Sequence, residues 1–164
     1  MKNKKYESGR SMIEMVGVLA IMGLLTAAAF ALIQSGIKSQ KVSKISDEID
    51  MLVSHARALT AEMGNFKSLP LKTDVASNRE SKPARLAGRI VGMNPRKDKT
   101  PIGGMYELYK ADEDGEEFVV EINGITDKDD CYMMKYRSYA DGTADCLEPD
   151  GDSAFYRLTI TYTK

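Results

Sequence analysis

From Met15 to Ile33 the chain runs nineteen residues without a charge, and a carboxylate, Glu14, stands at the head of that run. At 1.5 Å per residue the run makes roughly 28 Å of α-helix, close to the thickness of a bilayer core. Such a segment constrains the fold more than anything that follows it. It predicts a membrane-spanning helix, and it makes Glu14 an anomaly, because an acid at the mouth of a membrane helix needs a positive partner. A secretory signal peptide is the rival reading. Its apolar stretch is 7–15 residues and its cut follows small residues, and here Ala27-Ala28-Ala29 offers such a site. The apolar run is longer than that, however, and the obvious small residue, Gly9, precedes it.

The flanks carry charge at both ends: Lys2, Lys4, Lys5 and Arg10 before the run, Lys38, Lys41 and Lys44 after it. The count favours a cytoplasmic N-terminus by a narrow margin. Cys131 and Cys146 point the same way. An even pair with no CxxC and no neighbouring His argues against zinc or redox chemistry and for a disulfide in an oxidising compartment. The bond would close a loop of about 15 residues and stabilise the fold by roughly 3 kcal/mol. Within the span, Gly23, Ala27 and Ala31 recur every four residues. That is either a close-packing helix face or the ordinary abundance of small residues in membrane helices.

Helical periodicity continues past the span. Ile45, Ile49, Leu52, Ala56, Leu59 and Met63 form an apolar stripe, with Lys44, Asp47, Glu48, Asp50 and Arg57 on other faces. Gly64-Asn65 supplies a stop. The spacing predicts one helix from about Ser11 to Met63 with Gly36 as a soft point, apolar all round in its first half and amphipathic in its second. From Phe66 to Thr100, Pro70, Pro83 and Pro95 and scattered Lys and Arg predict a long connecting loop, basic from Arg79 to Arg89. Met105–Tyr109 and Glu117–Ile122 predict a hairpin across the acidic turn Asp112–Gly115, with Asn123-Gly124 as the next turn. The aromatic-rich Tyr132–Tyr139 and the run Phe155–Tyr162 complete three or four antiparallel strands. The expected class is α+β: a long N-terminal helix on a small antiparallel sheet, with one disulfide.

The chain has 164 residues and a formal net charge of −1. No global basic field points to nucleic acid, and the basic stretch lacks interleaved aromatics. One histidine, His55, and no Ser-His-Asp set, Cys-His pair or phosphate loop leave nothing that reads as an enzyme, and no cofactor is expected. Asp141, Asp145, Glu148, Asp150 and Asp152, placed between the last two strands, read as plain turns or as hard ligands for calcium; the EF-hand spacing is absent.

A cut after Gly9 would free the α-amine of Arg10, one helical turn before Glu14. Between neighbouring helices offset along an axis, that amine and the Glu14 carboxylate can meet and set an axial register. A short basic leader ending in Gly9, Glu14 as the fifth residue after it, and then a long apolar helix resemble a type IV prepilin. Gly64-Asn65-Phe66, Thr100-Pro101-Ile102-Gly103-Gly104 and Phe118-x-Val120-x-Ile122 running on to Cys131 resemble the type IVb subgroup. The resemblance implies a leader (1–9), a membrane-spanning and filament-core helix (10–36) and a periplasmic or extracellular globular domain (37–164). It implies cleavage by a prepilin peptidase between Gly9 and Arg10, N-methylation of Arg10, and pairing of Glu14 with the amine of an adjacent subunit. It further implies a single-pass inner-membrane state with the N-terminus cytoplasmic, and a helical homopolymer on the cell surface built by an inner-membrane assembly machinery. The Cys131–Cys146 bond would bound the variable surface region. A pseudopilin of a type II secretion or DNA-uptake system would carry the same leader and the same Glu14. The chain departs from the family at Arg10, where an apolar residue is usual, and its leader is short for type IVb.

Overall fold

The computed structural model describes residues 7–61, 64–72, 81–137, 139, 141–149 and 154–163, the first five of them by backbone alone. Lys2, Lys4 and Lys5 of the expected leader, and Met63, Arg79, Asp150 and Asp152, lie outside these residues. The elements in chain order are α1 (Glu7–Thr60), α2 (Lys82–Ile90), β1 (Met105–Lys110), β2 (Glu117–Ile125), α3 (Lys128–Lys135), β3 (Gly142–Leu147) and β4 (Tyr156–Thr163). The chain divides into two compact units, Met1–Gln40 and Lys41–Lys164. The class is α+β, a long N-terminal helix packed on a four-stranded antiparallel sheet with one disulfide.

Helix α1 starts earlier than expected, at Glu7, and passes through Gly36 without a break. Its buried stripe in the second unit is Val42, Ile45, Ile49, Leu52, Ala56 and Thr60. Leu59, placed on that stripe by spacing, is 44% exposed. Thr60 takes the position instead, and its hydroxyl donates back to the Ala56 carbonyl at 2.9 Å, so the last buried turn leaves no orphaned polar atom. The stop falls where the sequence puts it: Gly64 has φ +66° and returns its N–H to the Thr60 carbonyl.

The sheet order is β1-β2-β4-β3, all antiparallel. One face carries Tyr106, Leu108, Phe118, Val120, Ile122, Leu158, Ile160 and Tyr162, which join the α1 stripe in one core. Phe118 is its centre, stacked on Tyr162 at 5.0 Å and tilted against Phe66 at 4.5 Å. The Tyr106 hydroxyl donates to Glu48 of α1.

Four expectations are overturned. The stretch expected to be loop contains α2, which Ser81 caps by accepting the Ala84 N–H. Tyr132 opens no strand but belongs to α3, capped by Asp127. Of the acidic residues expected between the last two strands, Asp145 lies within β3 (Gly142–Leu147) and Asp141 precedes it, whereas Glu148 does fall between β3 and β4. Asn123-Gly124 is no turn: it lies within β2, where the register with β4 shifts between Ile122 and Ile125. Gly124 (φ +81°) and Gly104 (φ +82°) cross so closely that a Cβ on Gly104 would stand 1.6 Å from the Asn123 carbonyl oxygen.

Candidate functional site

The sequence-derived site lies in the first half of α1. Gly9 and Arg10 are both in helical backbone near its start. Their junction therefore sits in a terminal turn, where first N–H groups lack intrahelical partners and fraying is easy. Glu14 is exposed, and so are the apolar side chains that follow it on every face; Leu24 and Leu32 are each more than 70% accessible. Among the described residues one helix is long and apolar enough to cross a membrane, and none of that apolar window is buried within the chain. Thr26, the polar residue of the run, donates its hydroxyl to the Met22 carbonyl at 2.7 Å and so offers hydrocarbon no free donor. Gly17 and Gly23 have nothing against them within 4 Å beyond their own helix, which leaves backbone open to a close neighbour. Glu14 is the sole ionisable residue between Arg10 and Lys38. Lys38 is roughly 36 Å away along a helix, so Arg10 supplies the positive groups nearest to Glu14 in its own chain.

Cys131 of α3 and Cys146 of β3 form a disulfide with Cα atoms 5.9 Å apart. The acidic residues around it are dispersed into ion pairs rather than converging. Asp145 meets Lys135 at 2.7 Å, Glu148 meets Lys128 at 3.2 Å and accepts from the Tyr132 hydroxyl at 3.1 Å, and Asp141 faces Arg57 at 3.6 Å. Hydrogen bonding to Lys135 holds the Asp145 carboxyl below its usual range, and Lys128 does the same for Glu148. Among the described residues no three metal-ligating side chains gather at one point. Lys82, Arg85 and Arg89 line the exposed face of α2, and His55 is exposed on α1.

A second polar constellation was not anticipated. Glu107 of β1 and Glu121 of β2 are directly opposite in register, and both are buried on the sheet face turned away from α1. Lys72 reaches in from the segment after α1, its Nζ 2.6 Å from Glu121 Oε2, and the Tyr109 hydroxyl donates to the same oxygen at 2.5 Å. Burial, then the Glu121 charge, pushes the Glu107 carboxyl up to about 7; Lys72, Asn123 and Ser81 act in the opposite sense. Among the described residues, Glu121 Oε1 and both amide atoms of Asn123 are buried without a hydrogen bond of good geometry. The available signal was Glu121 itself, an acid inside the run Phe-Val-Val-Glu-Ile.

No protein-family model, curated protein or solved structure matches the chain.

Proposed function

We propose that the chain is a type IV pilin subunit of the type IVb kind, held in the bacterial inner membrane by α1 and then assembled into a surface filament. The observation that carries this reading is the pairing of Glu14 with an all-round apolar, uncovered helix behind a Gly9–Arg10 junction. A helix meant only to anchor has no use for an acid at its mouth. A helix meant to pack against copies of itself can use one as a register mark, if a positive group meets it. Cleavage after Gly9 creates that group, the α-amine of Arg10, which is also the atom a peptidase would methylate. Lipid solvates the apolar surface before assembly and neighbouring helices cover it afterwards. The partners are then the chain's own copies, a prepilin peptidase and an inner-membrane assembly machinery; neither cofactor nor nucleic acid enters.

Glu14→Ala tests the reading. The variant should be processed to an N-terminus at Arg10, seen by mass spectrometry, and should stay in the membrane fraction, but filament yield after shearing should fall at least tenfold. Normal filament yield from Glu14→Ala, or an intact leader on filamentous wild-type protein, would refute it.

A further inference from the structure

We propose that the exposed basic face of helix α2 is a docking surface for the acidic β1–β2 turn of a second copy of the chain. The proposal deepens the pilin reading and rests on it. Lys82, Arg85 and Arg89 are exposed, and helical spacing puts them on one face of α2. Pro83, Ala84, Ala87 and Gly88 occupy the opposite face and are buried. Exposed Lys97 and Lys99 follow in the loop after α2. The helix itself gains nothing from these charges. Lys82 stands in the first turn, at the positive end of the helix dipole, and no acid accompanies it there. Arg85 and Arg89 lie one turn apart and repel each other. Among the described residues no ion pair reaches any of the three. Asp98, which lines a small crevice with Ala84 and Gly88, accepts the Asn94 N–H at 2.6 Å.

The turn between β1 and β2 has the complementary charge. Glu113, Asp114 and Glu116 are exposed on it, and the Asp112 carboxylate accepts the Gly115 N–H at 2.5 Å. Two contacts brace it. The Phe66 N–H donates to the Gly115 carbonyl at 2.7 Å, and a Cβ on Gly115 (φ +69°) would stand 2.6 Å from the Lys67 nitrogen. A braced turn leaves little ordering for docking to impose. Lys67 shares a shallow cleft with Asp112, Asp114 and Glu116, and Lys110 ends β1. Neither lysine is ion-paired with the turn among the described residues.

Within one copy the two groups do not meet. Helix α2 packs over the start of β1, where Ala84 and Gly88 face Met105 and Tyr106. The turn follows the other end of that strand, roughly 15 Å further along. Two different patches of opposite charge on one chain make a heterologous contact. Each docked copy keeps one patch free, so repetition builds a ring or an open helical array. The uncovered apolar half of α1 needs several like neighbours, and a head-to-tail contact supplies them where a self-complementary one stops at two.

Charge reversal in the full chain tests this. Arg85→Glu with Arg89→Glu sets like charges against each other, and so does Asp114→Lys with Glu116→Lys. Either pair should lower filament yield roughly tenfold, with the membrane fraction and the Cys131–Cys146 bond unchanged. All four substitutions in one chain should restore the yield. Normal yield from either pair overturns the proposal, and so does a loss that the combined chain, with its disulfide formed, does not recover. A second measurement needs neither variants nor filaments. Light and nitrogen-15 chains are reconstituted in one bilayer at low salt and treated with a zero-length carbodiimide, which joins a lysine to a carboxylate in contact. A mixed-isotope link between Lys82, Lys97 or Lys99 and Glu113, Asp114 or Glu116 supports the contact, and its absence overturns it. Wild-type chain that gives this link but no filaments would sink the pilin reading and leave the contact standing. Filaments without the link would do the reverse.

Discussion

Reduction of the Cys131–Cys146 bond isolates what the disulfide does, because the sequence is unchanged and only the cross-link is lost. The bond spans fifteen positions of sequence. Removing the loop-closure entropy of about 15 residues from the unfolded chain costs the fold about 3 kcal/mol, a large share of the 5–15 kcal/mol typical of a domain. The same corner has other ties. Lys135–Asp145 and Lys128–Glu148 also join α3 to β3, but exposed pairs of this kind contribute at most about 1 kcal/mol each. They cannot replace the bond. β3 is also an edge strand, laddered to β4 on one side only. Urea unfolding of the full chain in micelles, with and without a phosphine reductant, gives the measurement. Tyrosine emission is the probe, since seven of the eight tyrosines follow Lys41. With a slope of about 1–3 kcal/mol per molar urea, the midpoint should fall by about 1–3 M. Repeating the titration in 1 M salt removes the ion pairs and should change the reduced and oxidised midpoints alike. A reduction penalty under about 1 kcal/mol, or one that disappears in salt, refutes the entropic account and assigns the corner to the ion pairs.

Two further outcomes concern the helix–sheet unit. Gly104→Ala should cost at least about 3 kcal/mol in the same titration, while Gly103→Ala should cost about 1–2 kcal/mol for its positive φ alone. A Cβ at Gly104 meets the β2 backbone, and one at Gly103 finds its nearest neighbour at 3.5 Å; equal costs would contradict the crossing. Tyr106→Phe should destabilise by about 1–3 kcal/mol, because Glu48 loses the buried donor that ties α1 to β1 and, among the described residues, keeps Lys44 at 3.8 Å. A change within 0.3 kcal/mol (about the error of such a titration) would show that the bond contributes nothing.

What could be read from the chain followed how locally each element is determined. Helix α1, the β1–β2 hairpin, β4 and the disulfide each rest on strong periodicity or on a pair with no competitor. Helix α2 was hidden by its own residues. Pro83 and Gly88 read as breakers, but Pro83 sits in the first turn, where its missing N–H costs nothing. Gly88 lies where a Cβ would meet the Met93 carbonyl at 2.8 Å, so packing rather than flexibility places it. In Tyr132–Tyr139 aromatic content pointed to a strand. The capping Asp127, acids Asp129 and Asp130 in the first turn and Lys135 in the last fix a helix instead. Strand β3 had no local signal, because it is held by β4 and Cys131. Glu14 and Gly9–Arg10 were legible because a charge beside an apolar run needs no tertiary knowledge to be odd. Glu107 and Glu121 were not, since each alternates correctly for a strand with one wet face. Only the cover over that face makes them anomalous.

The carboxylates at these two places solve the same problem in opposite ways. Glu107 and Glu121 are buried by their own chain, and what meets Glu121 there is intramolecular: the Lys72 ammonium and the Tyr109 hydroxyl. Glu14 heads an apolar surface that, among the described residues, nothing in its own chain buries. Past it, no basic residue occurs before Lys38, and the nearest positive groups belong to Arg10. An arginine at that first position would present a guanidinium as well as an α-amine one turn from Glu14. Within one helix, the guanidinium can then compete for the carboxylate that a neighbouring amine should meet. On the pilin reading, Arg10→Met removes the competitor and leaves the amine, so filament yield should rise or hold. A collapse of yield in Arg10→Met, with processing intact, would assign the intersubunit contact to the guanidinium and not to the new N-terminus.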